Sequence, residues 1–169
     1  MAGEIINRVT NSKLVTLDLE DYYPEGDRIL LDIQNWLYEG LILREQDFRE
    51  MIKNHDWQQY KGKYVALTCS TDAIIPSWAY LLISVHLAPF AKIFVIGDLD
   101  LLENLIFQET VEFIDIEPFK DVPVIIKGCS NKYIPESAYA LLTKRLLPKV
   151  SSLMFGEACS SVPLFKKKK

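Results

Sequence analysis

Residues 63–97 read KYVALTCSTDAIIPSWAYLLISVHLAPFAKIFVIG, and this stretch decides the fold. The run Lys63–Cys69 is predicted to be a strand, broken by the loop Ser70-Thr71-Asp72-Ala73-Ile74-Ile75. Pro76 opens a helix at the first-turn position that tolerates proline. That helix carries Trp78, Leu81, Leu82, Val85 and Leu87, and Pro89 stops it. Ile93-Phe94-Val95-Ile96 follows as a continuously apolar strand ending at Gly97, the composition of a strand covered on both faces. Strand, helix of ten or more residues, strand: this order predicts a crossover unit in a parallel sheet.

The pattern occurs twice. A shift of 59 positions carries Phe48 onto Phe107, Asp56 onto Asp115, Pro76 onto Pro135, Tyr80 onto Tyr139, Pro89 onto Pro148 and Gly97 onto Gly156. Cys69 and Cys129 align after a one-residue insertion near Gly128. The second copy predicts a helix over about 101–113, a strand at 123–128, a helix from Pro135 to Leu147 and a strand at 152–155. Upstream, residues 14–19 alternate apolar and polar and read as a strand. Tyr23 to Asp27 is a turn by its Pro and Gly content. Residues 29–33 fit helical spacing and alternation alike, and are read as a strand. The expected fold is α/β: a mainly parallel sheet with helices on both faces, built from an internal duplication, with the N-terminal strands at an edge. It is expected as a single domain over 1–169, with repeats at about 41–97 and 100–156.

Composition narrows the function classes. Apolar residues make up 49% of the 169 and charged residues 25%, the balance of a soluble globular protein. A net charge of −4 argues against a general nucleic-acid surface. The terminal Lys166 to Lys169 read as a solvated end. The most apolar window, Ala79 to Gly97, contains Ser84, His86, Pro89 and Lys92, so it is a buried helix and strand rather than a membrane span. Met1-Ala2-Gly3-Glu4 lacks the basic start of a signal peptide. With an odd number of cysteines, this leads to the expectation of a reducing cytoplasm, where thiols bind metal or react.

The three cysteines, Cys69, Cys129 and Cys159, each come at or just after a predicted strand end, and each precedes a serine. In an open α/β sheet, ligands bind outside the carboxyl ends of the strands. Thiolates suit zinc or iron, so the three cysteines are the expected metal ligands. Asp100 is the candidate fourth donor, although Asp100-Leu101-Leu102-Glu103 also reads as an N-cap with an acid three positions on. Asp72 and His55 are the other donors in contention. Two further readings stay open. Cys69 and Cys129 precede predicted helices, whose dipoles favour a thiolate, so a sulfurtransferase or thiol-redox protein is one. A partner-binding module whose cysteines only pack is the other. Neither a glycine-rich phosphate loop nor a nucleophile elbow is present in the sequence.

The segments Leu17-Asp18-Leu19-Glu20-Asp21-Tyr22-Tyr23-Pro24, Gly40 to Arg49, Ala66-Leu67-Thr68-Cys69-Ser70, Lys127-Gly128-Cys129-Ser130 and Gly156 to Leu164 resemble a Bacteroidetes domain-of-unknown-function family, number 2480. The resemblance covers nearly the whole chain and brings no activity with it. It implies a small cytoplasmic protein whose genes lie near iron–sulfur assembly genes. That context adds weight to an accessory role in iron–sulfur cluster biogenesis, with the assembly proteins as partners.

Overall fold

The computed structural model describes residues 14–128, 130–157 and 160–168. Strands and helices alternate along most of them. The order is β1 (Val15–Leu17), β2 (Arg28–Asp32), α1 (Glu45–Asn54), β3 (Tyr64–Thr68), α2 (Ser77–Leu87) and β4 (Ile93–Ile96). Then come α3 (Leu99–Phe113), β5 (Pro123–Ile126), α4 (Glu136–Leu146), β6 (Ser152–Glu157) and β7 (Ser160–Lys166). The α/β class and the parallel pairing are those the sequence predicts. The strands divide between two sheets rather than one: β2-β3-β4, all parallel, and β1-β5-β6-β7, parallel except for β7. Both N-terminal strands do lie at edges, β1 beside β5 and β2 beside β3.

Two compact units result, Glu25–Ile106 and the remainder through Pro24 and from Phe107, with the division falling inside α3. In the first unit, alternation along β3 sends its side chains to opposite faces. Val65 and Leu67 pack with Phe48 and Ile52 of α1 and Ala79, Ile83 and Leu87 of α2. Tyr64 and Ala66 pack with Leu102 and Ile106, on the first half of α3. The central strand is thus covered on both sides, while β4, at the sheet edge, leaves Ile96 48% exposed. Arg28 of β2 reaches α3. Its Nε lies 2.6 Å from Oε1 of Glu103, both side chains nearly buried, and its guanidinium sits over the Tyr64 ring.

In the second unit, Val124 and Ile126 of β5 pack with Ala138, Leu142 and Leu146 of α4 and with Phe107 and Val111 on the second half of α3. Arg145, near the end of α4, donates to the carbonyls of Val111 and Ile114 and so caps the end of α3. Glu25–Ile106 runs β2, α1, β3, α2, β4 into α3, and the other unit β1, the end of α3, β5, α4, β6 and β7. The 59-residue shift maps α2 end for end onto α4, with Pro76 and Pro135 each immediately before its helix.

The chain's last strand is absent from the sequence reading. β7 runs antiparallel to β6, with Met154 opposite Pro163 and a register shift at Leu153/Met154. A proline within the run hides such a strand, and it is tolerated here because β7 is an edge. Lys166 and Lys167 are exposed, as a solvated end should be, and still make contacts. Lys166 closes β7, the backbone N–H of Lys167 donates to Ser151, and its Nζ lies 3.5 Å from Asp121.

Candidate functional site

Parallel strands direct all their carboxyl ends to one side of a sheet, so the loops after them converge there. In the three-stranded sheet this edge holds Asp32, Gln34, Cys69 and Ser70. Asp32, the last residue of β2, accepts from the backbone N–H groups of Gln34 (3.0 Å) and Ser70 (3.1 Å) through Oδ1. Burial would raise its pKa, but its hydrogen bonds to Ser70 and to the Gln34 N–H outweigh that and hold the carboxyl below its usual value. The Ser70 hydroxyl donates to Oε1 of Gln34 at 2.5 Å. Cys69 is half-buried, with Sγ 3.3 Å from the Thr71 hydroxyl. The Tyr80 phenol on α2 is pushed up by burial, then by the charges of Cys69 and Asp32, so these three groups are electrostatic neighbours.

The four-stranded sheet repeats the arrangement with different chemistry. Asp18, just after β1, accepts from the Glu20 N–H at 2.9 Å through Oδ1 and pairs with Lys127 Nζ at 2.5 Å through Oδ2. Glu20 Oε2 then accepts from the Asn131 N–H at 3.1 Å and from the Ser130 hydroxyl at 3.3 Å. Lys127 is held above the usual lysine value by its hydrogen bond to Asp18, against a smaller desolvation effect, with the charges of Glu157 and Glu20 adding to it. Gly128 lies against β6: a Cβ there would stand 2.8 Å from the Phe155 ring and 3.5 Å from Cα of Gly156.

The predicted site residues divide between the two edges. Cys69 follows β3, and Asp100 follows β4, its parallel neighbour, so these two belong to one sheet edge. Cys129 and Cys159 lie outside the described residues. The strands that precede them in sequence, β5 and β6, are likewise parallel neighbours, with Ile126 opposite Phe155. The cap expected at Asp100 is at Asp98. Its Oδ1 accepts from the Leu101 N–H at 2.8 Å and its carbonyl from the Leu102 N–H. Gly97, at φ +156°, turns the chain straight into the helix, so α3 starts earlier than read and Asp100 stands exposed in its first turn. Glu103 turns instead to Arg28. Asp72 is exposed in its loop. His55 ends α1 among Trp36, Trp57 and Tyr60, with Nε2 2.8 Å from the Tyr60 hydroxyl. Burial lowers its pKa, against a smaller opposing effect of Asp56. Among the described residues, no three His, Cys, Asp or Glu side chains gather closely enough to hold a metal ion.

Asp18, Glu20, Asp32, Gln34 and Lys127 were missed as site residues. A signal for them exists: Leu17-Asp18-Leu19-Glu20 recurs fourteen positions on as Leu31-Asp32-Ile33-Gln34. Each copy ends an edge strand and turns its aspartate back onto the N–H two residues on, and its fourth residue bonds the serine that follows the cysteine. Among the described residues, no helix is long and apolar enough to cross a membrane.

The family model described as protein of unknown function (DUF2480) matches residues 3–167, and the chain belongs to that family. No curated protein and no solved structure matches it.

Proposed function

We propose that this member of the DUF2480 family is a cytoplasmic metal-binding accessory protein, taking zinc or iron through Cys129 and Cys159 and assisting iron–sulfur cluster biogenesis. One observation carries the reading. β5 and β6 are parallel neighbours, and the chain reaches each cysteine within a few residues of their paired ends, Ile126 and Phe155. Supporting it, Gly128 lies against β6, where a Cβ would stand 2.8 Å from the Phe155 ring and 3.5 Å from Cα of Gly156. Glu157, half-buried at the end of β6, offers a carboxylate two residues before Cys159. Two thiolates and a carboxylate are an acceptable donor set for zinc or iron and leave one tetrahedral position open, which suits a protein that passes its metal on.

Metal analysis of protein purified without air tests this. About one equivalent of zinc or iron is expected, lost in Cys129→Ser and in Cys159→Ser. Less than about a tenth of an equivalent overturns it. Cys69→Ser separates a two-thiolate site, which keeps its metal, from a three-thiolate site, which loses it. A persulfide on one cysteine after incubation with a sulfur donor, with no bound metal, would instead identify a sulfurtransferase.

A further inference from the structure

Between α1 and α2, toward their last turns, lies an open cleft of about 300 Å³. Its floor is apolar: Ile52 and Trp57 are buried and Leu82 is half-buried. Lys53 and His86 line it from the last turns of the two helices, and among the described residues no acid lines it. A cation in the last turn often serves only the helix dipole and its free carbonyls. In the other unit it does so. The 59-residue shift carries Ile52, Lys53, Leu82 and His86 onto Val111, Glu112, Leu141 and Arg145, which line a matching cleft between α3 and α4. There Arg145 donates to the Val111 and Ile114 carbonyls, and Glu112 puts an acid in the lining. Beside α2 the capping falls to Trp57, whose Nε1 donates to the Ile52 carbonyl at 2.9 Å. His86 is thereby released from that role, and its ring stacks on Trp57 with 5.1 Å between centroids. Among the described residues, neither its side chain nor that of Lys53 makes a hydrogen bond or an ion pair.

We propose that this cleft binds a small apolar carboxylate, its charged end held by Lys53 and an imidazole N–H of His86, its body against Ile52, Trp57 and Leu82. An apolar floor with a few convergent polar groups is the usual make-up of a small-molecule site. The ammonium offers donors only, and an imidazole always carries at least one N–H, so the polar end of the ligand accepts. Two features favour a carboxylate over a phosphate. The cleft lies at the carboxyl ends of two helices, whose dipoles disfavour a doubly charged group. The guanidinium that lines it, the fork suited to phosphate, belongs to Arg49 and is paired with Glu45 at 2.9 Å. The inference is independent of the proposed metal site.

Titration of the full chain with 3-phenylpropionate, followed by two-dimensional NMR at the Trp57 indole N–H, tests it. A dissociation constant of about 1 mM or below is expected. Lys53→Met keeps the stem and His86→Phe keeps a ring on Trp57, and each weakens binding about fivefold or more by removing one donor. Lys53 is exposed, so its variant keeps the wild-type urea midpoint. Lys144→Met, beside the matching cleft of the other unit, leaves binding unchanged. 3-Phenylpropanol, which lacks the charge, and inorganic phosphate, which lacks the body, each bind about fivefold or more weakly than the acid. No shift up to about 10 mM, or binding indifferent to both cleft variants, overturns the proposal. Equal binding of the alcohol overturns recognition of a charge, and phosphate binding as tight as that of the acid overturns the choice of a carboxylate.

Discussion

Glu103→Ala tests whether the unit Glu25–Ile106 depends on a charge pair beneath α3. Arg28 Nε and Glu103 Oε1 are 2.6 Å apart, and the two side chains are 14% and 10% exposed. At an effective dielectric constant of about 20, two charges at that separation attract by roughly 6 kcal/mol. Desolvation of both groups offsets much of this gain in the intact protein. Truncating the glutamate removes the attraction but leaves the guanidinium's desolvation in place, which in comparable sites costs about 3–5 kcal/mol. Arg28 keeps its hydrogen bond to the Gly26 carbonyl at 2.7 Å and its seat over Tyr64 at 4.8 Å. These place the expected loss at the lower end, about 3 kcal/mol. Urea unfolding followed by tryptophan fluorescence reads this unit selectively, since Trp36, Trp57 and Trp78 all lie within it. Replacing both partners, Arg28→Met with Glu103→Leu, should recover most of the loss, because an apolar pair of similar size carries no desolvation cost. A loss below about 1 kcal/mol in Glu103→Ala would show that the pair is solvated and that the reasoning from burial fails.

Three further outcomes follow from the geometry. Asp98→Ala should cost about 1 kcal/mol by removing the α3 cap, while Asp100→Ala stays within about 0.5 kcal/mol, both read from urea midpoints. His55 has a lowered folded pKa, so the unfolded chain takes up its proton first as pH falls, and stability drops from about pH 6.5 down to the folded value. The urea midpoint should therefore fall between pH 7.5 and 5, and His55→Gln should flatten that slope. Gly156→Ala should cost upwards of about 2 kcal/mol: φ is +119° and the new Cβ would stand 2.6 Å from the Ser160 carbonyl oxygen. A thermal melt within two degrees of wild type would contradict it.

Residue pattern alone made most of the elements legible, because proline and periodicity act locally. Pro76 and Pro135 each stand at the cap of a helix, one residue before its first turn, and Pro89 and Pro148 follow one. Strand pairing was not legible. β1 and β2 present nearly the same side chains, Leu-Asp-Leu and Leu-Asp-Ile at their ends, and nothing local says which sheet each will join. β7 was hidden by Pro163, whose missing N–H is harmless only on an edge. The cap at Asp98 was hidden by a second acid two residues on: choosing between them depends on where Gly97 bends the chain, which is a backbone property.

The two sheet edges share a scaffold but differ in charge, and that difference bears on where function resides. At the end of β2 and β3, Asp32 is satisfied by backbone N–H groups, and a neutral Gln34 holds the loop serine. At the end of β1 and β5, the corresponding residues are Asp18 and an ionisable Glu20, with Lys127 and Glu157 close enough to feel one another. A loop can be fixed without charge, as Gln34 and Ser70 demonstrate. Using Glu20 for the same task, where Lys127 also feels Glu157, adds negative charge that Lys127 balances only in part. In the proposed metal site, such negative charge favours a bound cation and disfavours the joint ionisation of Cys129 and Cys159 without one. Glu20→Gln distinguishes the two roles. If Glu20 only fixes the loop, the amide preserves fold stability and metal affinity alike. If its charge serves the site, stability is retained while zinc affinity measured by chelator competition falls about three- to tenfold, the effect of one screened charge of roughly 1 kcal/mol. Affinity unchanged within twofold would reduce the acidic residues of this edge to scaffolding.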